Sequence, residues 1–257
     1  MELISNNLNS YHPEIRQAVK ARDADVIGKM ATAAVRAGAD YLEVGVPEGP
    51  NEFDELNWLV GTAQSACDLP LVICWDGCPD LDKILKTVRK PGILNGICTQ
   101  ETADIILPLF RELPDGWRLI LNACAKENDQ DIGERVEEYT PMIHQAEENG
   151  LMPGRLIIDP CAGELSTNPR AYLDMEDAVD AFMNVYPEVE FVCEPFMIAA
   201  GLKKPEAVRE AFVTMAVSIG VSLVKADVFD TGIIEAYYAS QALLDLGKGL
   251  KGYQDSL

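Results

Sequence analysis

Seven polar residues stand where short apolar runs of this chain leave off. Glu43 lies in the run 41–46, Asp76 follows 71–75, Asn95 lies in 93–97, and Asn122 closes 119–122. Asp159 follows 156–158, Glu194 follows 189–193, and Asp227 comes shortly after 221–224. The set is rich in carboxylates and amides and poor in cations. A phosphate would require Arg, Lys or a glycine nest. With only two histidines, His12 and His144, no zinc site is expected, and a metal held by this all-oxygen set would be magnesium. A neutral heterocycle with several N–H donors is another good fit. A carboxylate accepts two neighbouring N–H bonds from an amino-pyrimidine ring, and an amide both gives and accepts. A pterin ring has this pattern. Any one such Asp is more commonly a helix N-cap; the set acquires meaning only if the strand ends converge.

The elements that must position these residues alternate. Strands are expected at 3–4, 41–46, 71–75, 93–97, 119–122, 156–158, 189–193 and 221–224, spaced too widely for hairpins and well for strand–helix crossovers. Asp23 can cap a helix whose residues Val26, Ile27, Met30, Ala34 and Val35 share a face, with Gly38 ending it. Pro205 suits a first helical turn ahead of Val208, Phe212 and Met215, with Gly220 as the stop. A last amphipathic helix is expected around 233–246. Eight units without a linker predict a single α/β domain over 1–257, a (β/α)8 barrel with its active site at the C-terminal strand ends. An open doubly wound sheet is the alternative, but no Gly-rich phosphate turn follows the first strand.

Composition narrows the setting. Lys and Arg total 21 against 42 Asp and Glu, a formal charge of -21, which repels nucleic acid and anionic membrane. No apolar run approaches the roughly 20 residues that span a bilayer, and Met1-Glu-Leu-Ile lacks the basic start of a signal peptide. The seven cysteines read as reduced core thiols of a cytoplasmic protein. His12 and His144 read as ordinary loop and helix residues.

Several stretches resemble the pterin-binding methyltransferases, specifically the methyltetrahydrofolate:corrinoid protein methyltransferases. Residues 15–23 and 37–44 look like the family's opening helix and acidic strand, and Asn57-Trp-Leu-Val60 like its next helix. Asp76 falls on its pterin-binding Asp, Asn95 on its strand-four Asn, and Ile158-Asp-Pro160 on its strand-six Asp-Pro. Residues 215–220 and Ala226-Asp227 match its late helix and last strand. The chain departs from the pattern at Gly45 and Glu194, where the family carries Asn, and after Asn95, where its Asn-Ser-Thr run is missing. The phosphate-binding motifs of dihydropteroate synthase are not evident.

The resemblance implies a dihydropteroate-synthase-like barrel that moves a methyl group between a reduced pterin, methyltetrahydrofolate, and the cobalt of a corrinoid carried by a partner protein. It also implies a homodimer. Asp76, Asn95, Asn122, Asp159, Glu43 and Asp227 would bind the pterin, with Glu194 and Asn95 in the catalytic roles. In the sense pterin-to-cobalt(I), Glu194 would stabilise a protonated N5 or relay its proton. Three rivals remain at this level. The donor is another methylated amine or pterin; Lys225 forms a Schiff base in a lyase, unless it pairs with Asp227 or Glu194; or the chain is a non-catalytic scaffold that binds the corrinoid protein.

Overall fold

The computed structural model describes residues 1–75, 77, 80–97, 99–123 and 132–256. Eight parallel strands close into a barrel in chain order, with β8 pairing back onto β1. They are β1 Glu2–Asn9, β2 Tyr41–Gly45, β3 Leu71–Cys74, β4 Ile93–Ile97, β5 Arg118–Asn122, β6 Leu156–Asp159, β7 Glu190–Cys193 and β8 Leu223–Ala226. The helices are α1 Pro13–Ala21, α2 Ala24–Arg36, α3 Glu52–Ala66, α4 Leu81–Leu85, α5 Gln100–Ile106, α6 Ile132–Glu148, α7 Ala171–Val185, α8 Pro195–Ile198, α9 Glu206–Ser218, α10 Thr231–Leu244 and α11 Gly249–Ser256.

Local signals place the helices much as expected. The Asp23 carboxylate accepts from the backbone N–H groups of Asp25 and Val26, capping α2, and Gly38 ends that turn at φ +77°. Gly220, at φ +105°, closes α9.

Two strands differ from expectation. The first was expected at residues 3–4 but runs on to Asn9, because the polar stretch Ser5-Asn-Asn-Leu-Asn9 finds partners that turn propensity ignores. Its ladder with β2 carries a register shift between Ser5 and Leu8. Such a bulge re-aims side chains and is common beside active sites. The last strand begins later than 221, because the Val221 N–H is taken by the Ala216 carbonyl at the end of α9. At its other end the strand runs on through Lys225 and Ala226, which pair with Ile4 and Ser5 of β1.

The barrel interior is layered by the two-residue period of the strands. At the middle, Ile4, Val72, Ile93, Ile120, Ile157, Val192 and Leu223 pack together with Tyr41 against them. Two residues earlier come Glu2, Arg118 and Glu190. Arg118 is paired to Glu2 at 2.5 Å and also to Glu190, and it donates to Tyr41 Oη, closing the lower end. Two residues later come Asn6, Glu43, Cys74, Asn95, Asn122, Asp159, Glu194 and Lys225. The larger apolar core lies outside the barrel, between strands and helices, and includes Leu42, Ile73, Leu119, Ile158, Phe182 and Phe212.

Candidate active site

The upper layer opens into a cavity of about 600 Å³ whose wall includes Asn6, Asn9, Glu43, Cys74, Asn95, Asn122, Glu194, Lys225 and Asp227. This is the size range of small-molecule sites. Two glycines let the strands approach there. A Cβ on Gly96 would stand 2.4 Å from the Trp75 carbonyl oxygen, and one on Gly45 2.8 Å from the Cys74 Cβ.

The polar groups form two connected sets. On one side, Asn122 Nδ2 donates to Asn95 Oδ1 at 3.0 Å, and Asp159 is the register partner of Asn122. Asp159 Oδ1 accepts from the Cys161 N–H at 2.8 Å. Burial pushes the Asp159 carboxyl up to about 6, with Lys225 and the Cys161 hydrogen bond opposing that shift and Glu194 and Glu43 adding to it.

On the other side, Lys225 Nζ lies 2.9 Å from Glu194 Oε2 and 3.5 Å from Glu43 Oε2. Burial alone would lower the lysine pKa; Glu43 and Glu194 more than reverse this and hold it well above its ordinary value. Asn9 Nδ2 donates to Glu43 Oε1 at 2.8 Å, and Asn6 Nδ2 donates to Glu194 Oε1 at 3.2 Å.

Six of the seven residues singled out by sequence can be placed; Asp76 lies outside the described residues. Glu43, Asn95, Asn122, Glu194 and Asp227 share the cavity wall, and Asp159 stands beside Asn122 at the same mouth. Asp227 also has a structural task, since its Oδ1 accepts from Asn7 Nδ2 at 2.5 Å and from the Phe229 N–H at 2.8 Å. Lys225 pairs with Glu194, one of its two expected partners, and with Glu43 instead of Asp227, whose carboxylate the turn after β8 engages. His12 is exposed at the cavity edge, and His144 is exposed on α6.

Sequence reading missed Asn6, Asn7 and Asn9. An Asn-rich stretch signals a turn by propensity, and only its place next to the first strand could have hinted otherwise. The thiol expectation needs one correction. Cys67, Cys74 and Cys193 carry no disulfide, but Cys161, two residues past the end of β6, is disulfide-bonded. Among the described residues, no three His, Cys, Asp or Glu side chains are arranged to hold a metal, and no helix is long and apolar enough to cross a membrane.

A closed parallel barrel with a polar mouth of this kind defines the class: the chain is a dihydropteroate-synthase-like (β/α)8 barrel. It superposes on dihydropteroate synthase from Yersinia pestis bound to a pterin–sulfa conjugate with a TM-score of 0.70 and 14% identity, covering 95% of this chain and 93% of that one. The Vibrio fischeri 7,8-dihydropteroate synthase gives 0.70 and 16%, covering 96% and 94%. No family model matches the chain. The similarity to pterin-binding methyltransferases extends well beyond scattered motifs. The chain is 29% identical over 251 residues to the methylcorrinoid:tetrahydrofolate methyltransferase of Eubacterium limosum, covering 95% of this chain and 91% of the relative.

Proposed function

We propose that this protein is a methyltransferase that moves a methyl group between the cobalt of a protein-carried corrinoid and tetrahydrofolate. The observation that carries the reading is the convergence of Asn95, Asn122 and Asp159 on one side of an open cavity and of Glu43, Glu194 and Lys225 on the other. Amides and a carboxylate suit the donor-rich edge of a pterin. The opposite side offers a carboxylate where an amine must lose or gain a proton.

The name of the Eubacterium limosum relative writes the methyl group leaving the corrinoid, so we take that as the working direction. The sense first expected, pterin to cobalt(I), is the same path reversed. The N5 lone pair attacks the methyl carbon, and the cobalt–carbon bond breaks with both electrons staying on cobalt, which passes from Co(III) to Co(I). N5 gains the methyl group and sheds its proton. Asn95, Asn122 and Asp159 hold the ring, with Asp76 expected to join them, and Glu194 takes the proton. Asp227 shapes the wall. Holding the ring under the mouth supplies the orientation that a bimolecular methyl transfer needs. The partner is a corrinoid protein docking over the rim; a homodimer and a cytoplasmic setting accompany this reading.

The lyase alternative fits poorly. A Schiff-base lysine needs a lowered pKa, whereas two carboxylates hold Lys225 charged. A decayed, non-catalytic site is disfavoured by the open cavity. Calorimetry with tetrahydrofolate should show binding that Asp159→Ala and Asn95→Leu each weaken about tenfold or more. A methylcorrinoid protein should then yield Co(I) by absorbance only when tetrahydrofolate and this enzyme are both present. A panel of other methyl acceptors and donors separates a changed substrate from a wrong reaction class, and unchanged pterin affinity in both variants would reject the pocket.

A further inference from the structure

Among the buried polar atoms of the cavity-lining residues that lack a hydrogen bond from the described residues is Asn6 Oδ1. Asn6 is 8% exposed, sits in the register shift of β1, and lines the cavity. Its Nδ2 donates to Glu194 Oε1, and a carboxylate can only accept, so the amide orientation is set by that contact. Its Oδ1 is then left buried without any hydrogen-bond partner. A buried carbonyl oxygen left unpaired is costly, and native sites keep such a group where a ligand donor satisfies it.

We propose that Asn6 is a substrate-contacting residue whose Oδ1 accepts a hydrogen bond from the N5–H of tetrahydrofolate; this rests on the methyl-transfer reading above. Asn6 on β1 lies across the barrel from Asn122 on β5, and Glu194 follows β7, next to the strand that ends at Asp159, so a ring held by Asn95, Asn122 and Asp159 turns another edge toward the Asn6–Glu194 pair. A secondary amine carries one hydrogen and one lone pair. Fixing the hydrogen against the wall aims the lone pair at the open mouth, where a methyl donor carried by another protein has to approach.

The same contact then handles the proton. When the N5–carbon bond forms and the carbon–cobalt bond breaks, with its electron pair left on cobalt, N5 holds both the methyl group and its original hydrogen. That hydrogen already faces the pair. It passes to Glu194 Oε1, the oxygen that Asn6 Nδ2 holds at 3.2 Å. Asn6 thus selects the face of N5 that is methylated and positions the base that takes the proton.

The test compares tetrahydrofolate with 5-deazatetrahydrofolate, which has a methylene in place of N5–H, by calorimetry on wild type and Asn6→Ala. Wild type should prefer tetrahydrofolate about tenfold or more, because the methylene leaves Oδ1 unpaired. Asn6→Ala should lose most of that preference by binding tetrahydrofolate more weakly while holding the deaza ligand unchanged. Asn6→Ser, smaller and still polar, should repeat the pattern if Asn6→Ala folds poorly. Equal weakening of both ligands would mean a packing role and overturn the proposal, as would an unchanged preference. A wild-type protein that binds neither ligand would instead overturn the pterin reading from which the proposal starts.

Discussion

Lys225 Nζ and Glu194 Oε2 lie 2.9 Å apart at the ends of β8 and β7, with the Lys225 side chain 13% exposed and that of Glu194 29% exposed. The pair is completed from below by Glu43, whose side chain is 2% exposed. One cation therefore stands between two acids at the floor of the cavity. Among the described residues, Glu43 Oε2 makes an ion pair with Lys225 but no hydrogen bond.

Removing the lysine should be severe. Lys225→Met leaves Glu43 buried and unbalanced and should cost about 3 kcal/mol or more in urea unfolding. Adding Glu43→Gln should return much of the loss, because the stranded charge goes with it. A Lys225→Met variant as stable as wild type would show that the lysine does not offset the buried charge of Glu43. Borohydride with carbonyl compounds should trap nothing on wild-type Lys225.

Asp159 should make stability depend on pH in a stated direction. Its carboxyl titrates at about 6 in the folded chain against 3.8 ordinarily. Between those values the folded state keeps a proton that the unfolded state has released, so stability falls as pH rises through the window, and the whole penalty stands above about 6. Asp159→Asn should therefore stabilise the protein by up to about 3 kcal/mol at pH 8 and by nothing near pH 3. Melting curves at the two pH values check this, and equal gains at both would show that burial of the charge is not the cause. The same variant should lose pterin affinity, trading function for stability.

The rim around the cavity offers an apolar landing surface. Tyr11 after β1, Phe196 and Met197 in α8 after β7, and Phe229 after β8 are 63%, 62%, 43% and 57% exposed. Met197→Ser together with Phe229→Ser should slow methyl transfer from a corrinoid protein several-fold at subsaturating partner. Tetrahydrofolate affinity should stay unchanged, since neither side chain lines the cavity. Transfer rates that do not move would place the docking face elsewhere.

The lower end should behave as a structural plug. Arg118, paired to Glu2 and Glu190, is held above its ordinary pKa by those acids and Tyr41 despite a burial that opposes it. Arg118→Met should lower stability by about 3 kcal/mol while tetrahydrofolate binding, measured below the melting range, stays at the wild-type value. A matching loss of affinity would mean that the two polar layers communicate through the barrel.

The amino-acid order by itself determined the repeating units, and with them the barrel. Apolar runs such as 71–75 and 156–158, separated by capped helices such as the one opened by Asp23, can bury their faces only by wrapping a parallel sheet in helices. It also marked Glu43, Asn95, Asn122, Asp159 and Glu194, because a polar residue ending an apolar strand stands out locally. Asn6 and Asn9 did not stand out, since an Asn-rich stretch signals a turn until neighbouring strands supply partners for it. The start of β8 depended on α9 taking the Val221 N–H, and the place of Lys225 within the strand on pairing with β1. Only closure of the barrel brought Asn6 to Glu194, 188 positions apart, and Lys225 between two acids. Such contacts between distant strands leave no trace in local pattern, because register and strand neighbours are set by the packing of the whole sheet.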